Sequence, residues 1–135
     1  MPLDPRLESD STFITALELC DVRLTHNAAF PWLLLIPRED GIAEIIDLTP
    51  SNQRLLMQEI VLVSQVLQQL FQPTKLNVAS LGNIVSQFHV HIVARYDRDK
   101  AWPHPVWNSG VHIDYDPKSK FELIAQLKKA FDIEV

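Results

Sequence analysis

The stretch Gln87-Phe88-His89-Val90-His91-Ile92-Val93-Ala94-Arg95 decides how the chain folds. With a period of two, Phe88, Val90, Ile92 and Ala94 point one way, and Gln87, His89, His91, Val93 and Arg95 point the other. The first set is an apolar core face. The second places an amide, two imidazoles and a guanidinium almost in succession. A strand that buries both faces does not carry such groups without a reason, so this stretch is taken as the strand that bears the active site.

Two residues apart on one face, His89 and His91 have α-carbons roughly 6.5–7 Å apart. That spacing suits three roles. One imidazole attacks a phosphate that the other also touches; both ligate a metal; or both are half-buried histidines of a sheet. The metal alternative lacks a carboxylate or third histidine on the strand, and His26, His104 or His112 reach it only through folding. On the residues alone all three remain open. Arg95, of the same parity, either pairs bidentately with phosphate oxygens or is a solvated arginine past a strand end.

Working outward, Lys75–Ala79 reads as a strand with Leu76 and Val78 toward the core and Asn77 opposite. The turn Leu81-Gly82-Asn83 leads into Ile84 and Val85, and makes this strand the antiparallel neighbour of the histidine strand. Asn77 then shares the histidine face. Asn77 and Asn83 are both able to donate amide hydrogens to phosphate oxygens, and Asn83 is equally an ordinary turn residue.

Upstream, Cys20–Thr25 alternates as a strand, and Trp32–Ile36 is an unbroken apolar run between Pro31 and Pro37 that suits a buried strand. The short loop between them predicts an antiparallel pair. Phe13–Leu19 is a weaker strand, and residues 1–12 an arm or short helix. Thr49-Pro50 starts a helix, with Thr as cap and Pro at the first turn. Leu56, Ile60, Val63, Leu67 and Leu70 give it an apolar stripe of roughly six turns, ended by Pro73. Downstream, Tyr96–Ser109 is irregular, with Trp102 and Trp107 able to stack on a base or pack at a subunit interface. Asp116-Pro117 opens a second amphipathic helix carrying Phe121, Leu123, Ile124, Leu127 and Phe131.

At 135 residues the chain is read as one domain, 1–135, without internal repeat or domain boundary. The net charge of −5 argues against a polynucleotide-binding surface, though not against a small phosphorylated ligand. The single Cys20, taken as a small core residue, excludes an internal disulfide and fits a reducing cytosol. No apolar run approaches the ~20 residues of a membrane span. The expectation is a soluble cytoplasmic protein with no membrane association.

Gln87-Phe88-His89-Val90-His91-Ile92-Val93 resembles the signature of the histidine triad (HIT) family, three histidines alternating with apolar residues, with Gln87 in place of the first. The likeness extends over roughly residues 13–110. It takes in Ile36-Pro37-Arg38 before the long helix, Asn77, and Trp102-Pro103, and is most specific between 77 and 107. Gln-x-His-x-His resembles in particular a bacterial subgroup described as diadenosine-polyphosphate-hydrolase-like HIT proteins. The resemblance implies an α+β fold: an antiparallel sheet of about five strands, a long helix packed across it and a C-terminal helix, usually as a homodimer. It implies a nucleotide hydrolase or nucleotidyl transferase acting on a dinucleoside polyphosphate or nucleoside phosphoramidate. His89 is then the nucleophile and His91 the phosphate contact that assists the leaving group. Gln87 keeps hydrogen bonding but cannot be a cation. Asn27 falls near the ribose, with Asn77, Asn83, Arg95 and Trp102 as further candidates for substrate contact. The scheme needs no metal or other cofactor. The alternative is a nucleotide-binding regulatory protein that has lost efficient catalysis.

Overall fold

In the computed structural model, which describes residues 2–134, five strands form one antiparallel sheet in the order β1-β2-β3-β5-β4. Met1 and Val135, included in the single-domain expectation, lie outside the described residues. The elements are α1 (Pro5–Asp10), β1 (Ser11–Ala16), β2 (Cys20–Thr25), β3 (Trp32–Pro37), α2 (Pro50–Phe71), β4 (Lys75–Ala79), β5 (Val90–Arg95) and α3 (Pro117–Glu134). The expected α+β architecture is the one observed.

Local chemistry accounts for the boundaries. Thr49 caps α2 by accepting from the Asn52 amide at 3.1 Å, with Pro50 at the first helical position. At the other end Gln72 adopts a left-handed conformation (φ 47°) just before Pro73. Asp116 accepts from the Ser119 amide at the start of α3. The main core lies on one side of the sheet. Val22, Leu24, Leu33, Leu35, Val90 and Ile92 pack there against Leu56, Val63 and Leu67 of α2 and Leu127 and Phe131 of α3. Removing apolar area of this kind from water is the main driving force for the fold.

A polar side chain reaches into that core. Glu59 on α2 is buried, and its two carboxylate oxygens accept the amides of Leu19 and Cys20 at 2.8 and 2.9 Å. It thereby satisfies the backbone where β2 begins and fixes the helix across the sheet. Cys20 is fully buried, and burial together with the nearby Glu59 carboxylate pushes its thiol pKa up. It is a core residue, as its sequence context suggests.

Several expectations change. The histidine strand begins at Val90, so residues 84–89 approach it as irregular chain and the link from β4 is longer than a hairpin turn. The first strand starts at Ser11, earlier than its apolar residues indicate. Phe121 is 74% exposed, and Val78, assigned to the core, is half exposed on edge strand β4.

Candidate functional site

The register of the sheet assembles the site. His91 of β5 pairs with Leu34 of β3 and Ala79 of β4, while Val93 pairs with Trp32 and Asn77. These rows lie on the side of the sheet away from α2. Residues 96–113 cover part of that side, where Phe30, Val93, Ala101 and Val106 form a second, smaller core. Both faces of β5 are therefore buried. The rest of the face is an open cleft of about 480 Å³, lined by His89 and His91 with Thr25, His26, Asn27, Trp32 and His112. Helix α1 closes one rim through Arg6, Leu7 and Asp10.

His89 is buried just before β5, with Nδ1 2.7 Å from the carbonyl oxygen of Gln87. A carbonyl only accepts, so Nδ1 carries a proton; in the neutral imidazole Nε2 then holds the lone pair. The His91 ring lies 5.0 Å from that of His89, at 66° to it. It lies near both Trp32 and Trp107, at 5.6 and 5.5 Å between centroids, and the Trp32 indole donates to its Nδ1 at 3.1 Å. Burial, then the neighbouring His89, depresses the His91 pKa from 6.5 to about 4. The cleft thus presents a neutral His91 beside an imidazole whose Nδ1 is tied to a backbone carbonyl.

The remaining sequence candidates separate. Asn27 lines the cleft, but its side chain is engaged with a loop. Its Oδ1 accepts from Ala29 and Ile113, and its Nδ2 donates to Val111 at 3.0 Å. It anchors the segment that carries His112 to the rim. Gln87 contributes its backbone carbonyl to the site, while its side chain turns outward. There Oε1 accepts from the Asp4 amide at 2.7 Å and Nε2 approaches the Pro2 carbonyl. Asn83 is exposed on the loop whose next residues, Ile84 and Val85, reach the cleft wall.

Arg95 and Asn77 share the histidine face but lie further along it, Arg95 four residues beyond His91 and Asn77 opposite Val93. Arg95 is 1% exposed and forks onto Asp99, with Asn77 accepting a third bond at 2.8 Å. Its guanidinium also sits over the rings of Phe30 and Trp102. Neither expectation for Arg95, solvated or on phosphate, describes it. It ties the 96–113 cover to the sheet, and Asn77 and Trp102 belong to that tie. The Trp107 ring packs near that of His91.

Sequence reasoning did not assign Thr25 or Trp32 to the site, and it named His26 and His112 only as metal ligands that folding could bring to the strand. Thr25 is buried, and its hydroxyl has no hydrogen-bond partner among the described residues. Nε2 of His26 meets Thr12 at 2.8 Å and Lys120 at 3.3 Å. Burial, then Lys120, lowers its pKa. Parity within β2 puts Thr25 on the side of the sheet away from the core; His112 had no local signal, because contacts of Asn27 and Ala28 with Val111 and Ile113 bring it near. Among the described residues no group of three or more His, Cys, Asp or Glu side chains gathers closely enough to hold a metal ion.

The family model of the HIT domain matches residues 6–98. Three bacterial histidine triad proteins of known structure are similar over nearly the whole chain. One from Bradyrhizobium japonicum is 42% identical over 96% of each chain, with a TM-score of 0.92. One from Sinorhizobium meliloti is 38% identical over 96% of each, also at 0.92. One from Marinobacter aquaeolei is 36% identical over 99% of this chain and 98% of that one, at 0.94. No curated protein matches the chain. A sheet that presents His89 and His91 to an open cleft, and a match that spans the strands and helix building it, identify the chain as a member of the HIT domain family.

Proposed function

We propose that this protein is a nucleotide hydrolase or nucleotidyl transferase. It acts on a dinucleoside polyphosphate or nucleoside phosphoramidate, as in the diadenosine-polyphosphate-hydrolase-like subgroup. The observation that carries this reading is the bond from His89 Nδ1 to the Gln87 carbonyl, which leaves Nε2 as the basic nitrogen of a residue lining the cleft. Nε2 attacks the α-phosphorus, a phosphorus–nitrogen bond forms, and the bond to the leaving group breaks. Water then cleaves the phosphorus–nitrogen bond and releases the nucleotide. His91 donates a hydrogen bond to a phosphoryl oxygen, the kind of fixed donor that stabilises charge developing in the transition state. Asn83 and backbone amides of the 84–89 segment are further candidate donors. No metal or other cofactor takes part in this scheme.

In this proposal the protein works as a cytosolic homodimer. The exposed Met57 and Val61 of α2 and Val78 on the edge strand β4 give it an apolar surface to pair with. No helix of the described residues is long and apolar enough to cross a membrane.

The test is turnover of adenosine and guanosine phosphoramidates and dinucleoside polyphosphates by the purified protein, with His89→Ala as control. The wild type should turn over at least one of them and His89→Ala none; intact activity in His89→Ala would remove the proposal. The side chain of Gln87, held by the N-terminal arm instead of facing the cleft, favours a second reading as a nucleotide-binding regulator. Tight binding without turnover in both the wild type and Gln87→His would support that alternative.

A further inference from the structure

The two imidazoles of the cleft have different partners on Nδ1, and the difference assigns their protons. His89 Nδ1 faces a carbonyl oxygen, which only accepts. His91 Nδ1 faces the indole N–H of Trp32, which only donates. In a neutral imidazole one nitrogen donates and the other accepts, so the two rings are opposite tautomers. His89 carries its proton on Nδ1 and has a lone pair on Nε2. His91 accepts at Nδ1 and carries its proton on Nε2.

Resting on the nucleotidyl-transfer reading above, we propose that Trp32 is a positioning residue: its indole fixes His91 as a neutral Nε2–H donor and so separates the donor imidazole from the nucleophilic one. The geometry explains why the assignment holds. Trp32 sits in the row next to His91 on the adjacent strand, opposite Val93, so its ring reaches back over the imidazole. Trp107 also packs near the ring, 5.5 Å away between centroids. The His91 ring cannot flip without breaking the indole bond, and a second proton on Nδ1 would set two N–H groups against each other.

A chemical consequence follows. A neutral imidazole that gives up its Nε2 proton becomes an anion unless Nδ1 gains one, and Nδ1 is held by the indole. His91 therefore keeps its proton and stabilises negative charge without transferring a proton to the leaving group. The leaving group that suits the site departs as an anion, as a nucleoside polyphosphate does when a phosphoanhydride P–O bond breaks. The amine of a phosphoramidate must gain a proton as the P–N bond breaks, and His91 does not supply it.

The experiment is a long-range proton–nitrogen NMR spectrum of the histidine rings, in the wild type and in Trp32→Phe, which keeps an aromatic ring and removes the donor. In the wild type at neutral pH, His91 should show its unprotonated nitrogen at Nδ1 and His89 at Nε2. In Trp32→Phe the His91 signals should move toward a tautomer mixture while those of His89 stay; kcat should fall about tenfold and KM change less than about threefold. A tryptophan with only a packing role would lower the melting temperature and leave the His91 tautomer as it was. Should Trp32→Phe fail to fold, the wild-type spectrum decides: a proton on Nδ1 of His91 overturns the proposal. So does faster turnover of an adenosine phosphoramidate than of diadenosine tetraphosphate. Absence of turnover with both, with the expected tautomers present, would count against the enzymatic reading and leave the assignment of Trp32 standing.

Discussion

Arg95, the last residue of β5, and Asp99 form a fork, Nε to Oδ2 at 2.9 Å and Nη2 to Oδ1 at 3.0 Å, with side chains 1% and 7% exposed. Asp99 also accepts the amides of Tyr96, Ala101 and Trp102, so one carboxylate gathers the start of the 96–113 cover. The hydrogen bond from Arg95 holds its pKa down to about 2. Removing one partner of a buried pair strands the other charge and costs about 3–5 kcal/mol. Asp99→Ala should lose that much in chemical denaturation, and the double variant Arg95→Met with Asp99→Leu should regain much of it. A loss below about 1 kcal/mol in Asp99→Ala would show that the pair does not hold the cover.

Burial of neutral His91 makes stability depend on pH. Its pKa is about 4 in the folded chain against an ordinary 6.5. Between those values the unfolded chain binds the extra proton, so stability rises with pH across roughly 4 to 6.5 and is unaffected by this group above that window. His91→Gln should show a shallower rise of melting temperature with pH in that interval. An unchanged slope would contradict the depressed pKa.

Asn27 spends its side chain on the loop that brings His112 to the cleft, through bonds to Val111 and Ile113. Its loss should loosen one wall and leave the histidines where they are. Asn27→Ala should therefore raise KM about tenfold, a loss of about 1.4 kcal/mol, with kcat within about threefold. A kcat loss larger than the change in KM would mean that Asn27 acts on the chemistry itself.

The Gln87 side chain and its carbonyl do separate things. Gln87→Ala leaves the carbonyl that holds His89 and removes the acceptor for the Asp4 amide. Exchange of the Asp4 amide hydrogen should quicken markedly while kcat falls by less than about tenfold. If exchange is unaltered and kcat collapses, the side chain works in the cleft after all.

The period-two reading of β5 located His89 and His91, because alternation in a strand is a local property of sequence. The same local signals located β2, β3, β4 and both long helices to within a few residues. Parity also placed Arg95 on the histidine face, but parity does not say what covers a face. Asp99, four residues on, lies beyond the strand, and only the fold shows that it turns back to meet the guanidinium. Trp32 read simply as part of an apolar run; its indole nitrogen matters because the β3–β5 register sets it against His91. His112 and Asn27 are 85 positions apart in sequence, and no spacing rule joins them.

The central claim, nucleophilic attack by His89 Nε2, is tested most directly by trapping the intermediate. Wild-type protein mixed with a radiolabelled dinucleoside polyphosphate and quenched within milliseconds should carry label, and peptide mapping should place a nucleotidyl group on His89. The intermediate should be absent from His89→Ala. Turnover at the normal rate with no labelled protein at any quench time, or label on a different residue, would contradict the account.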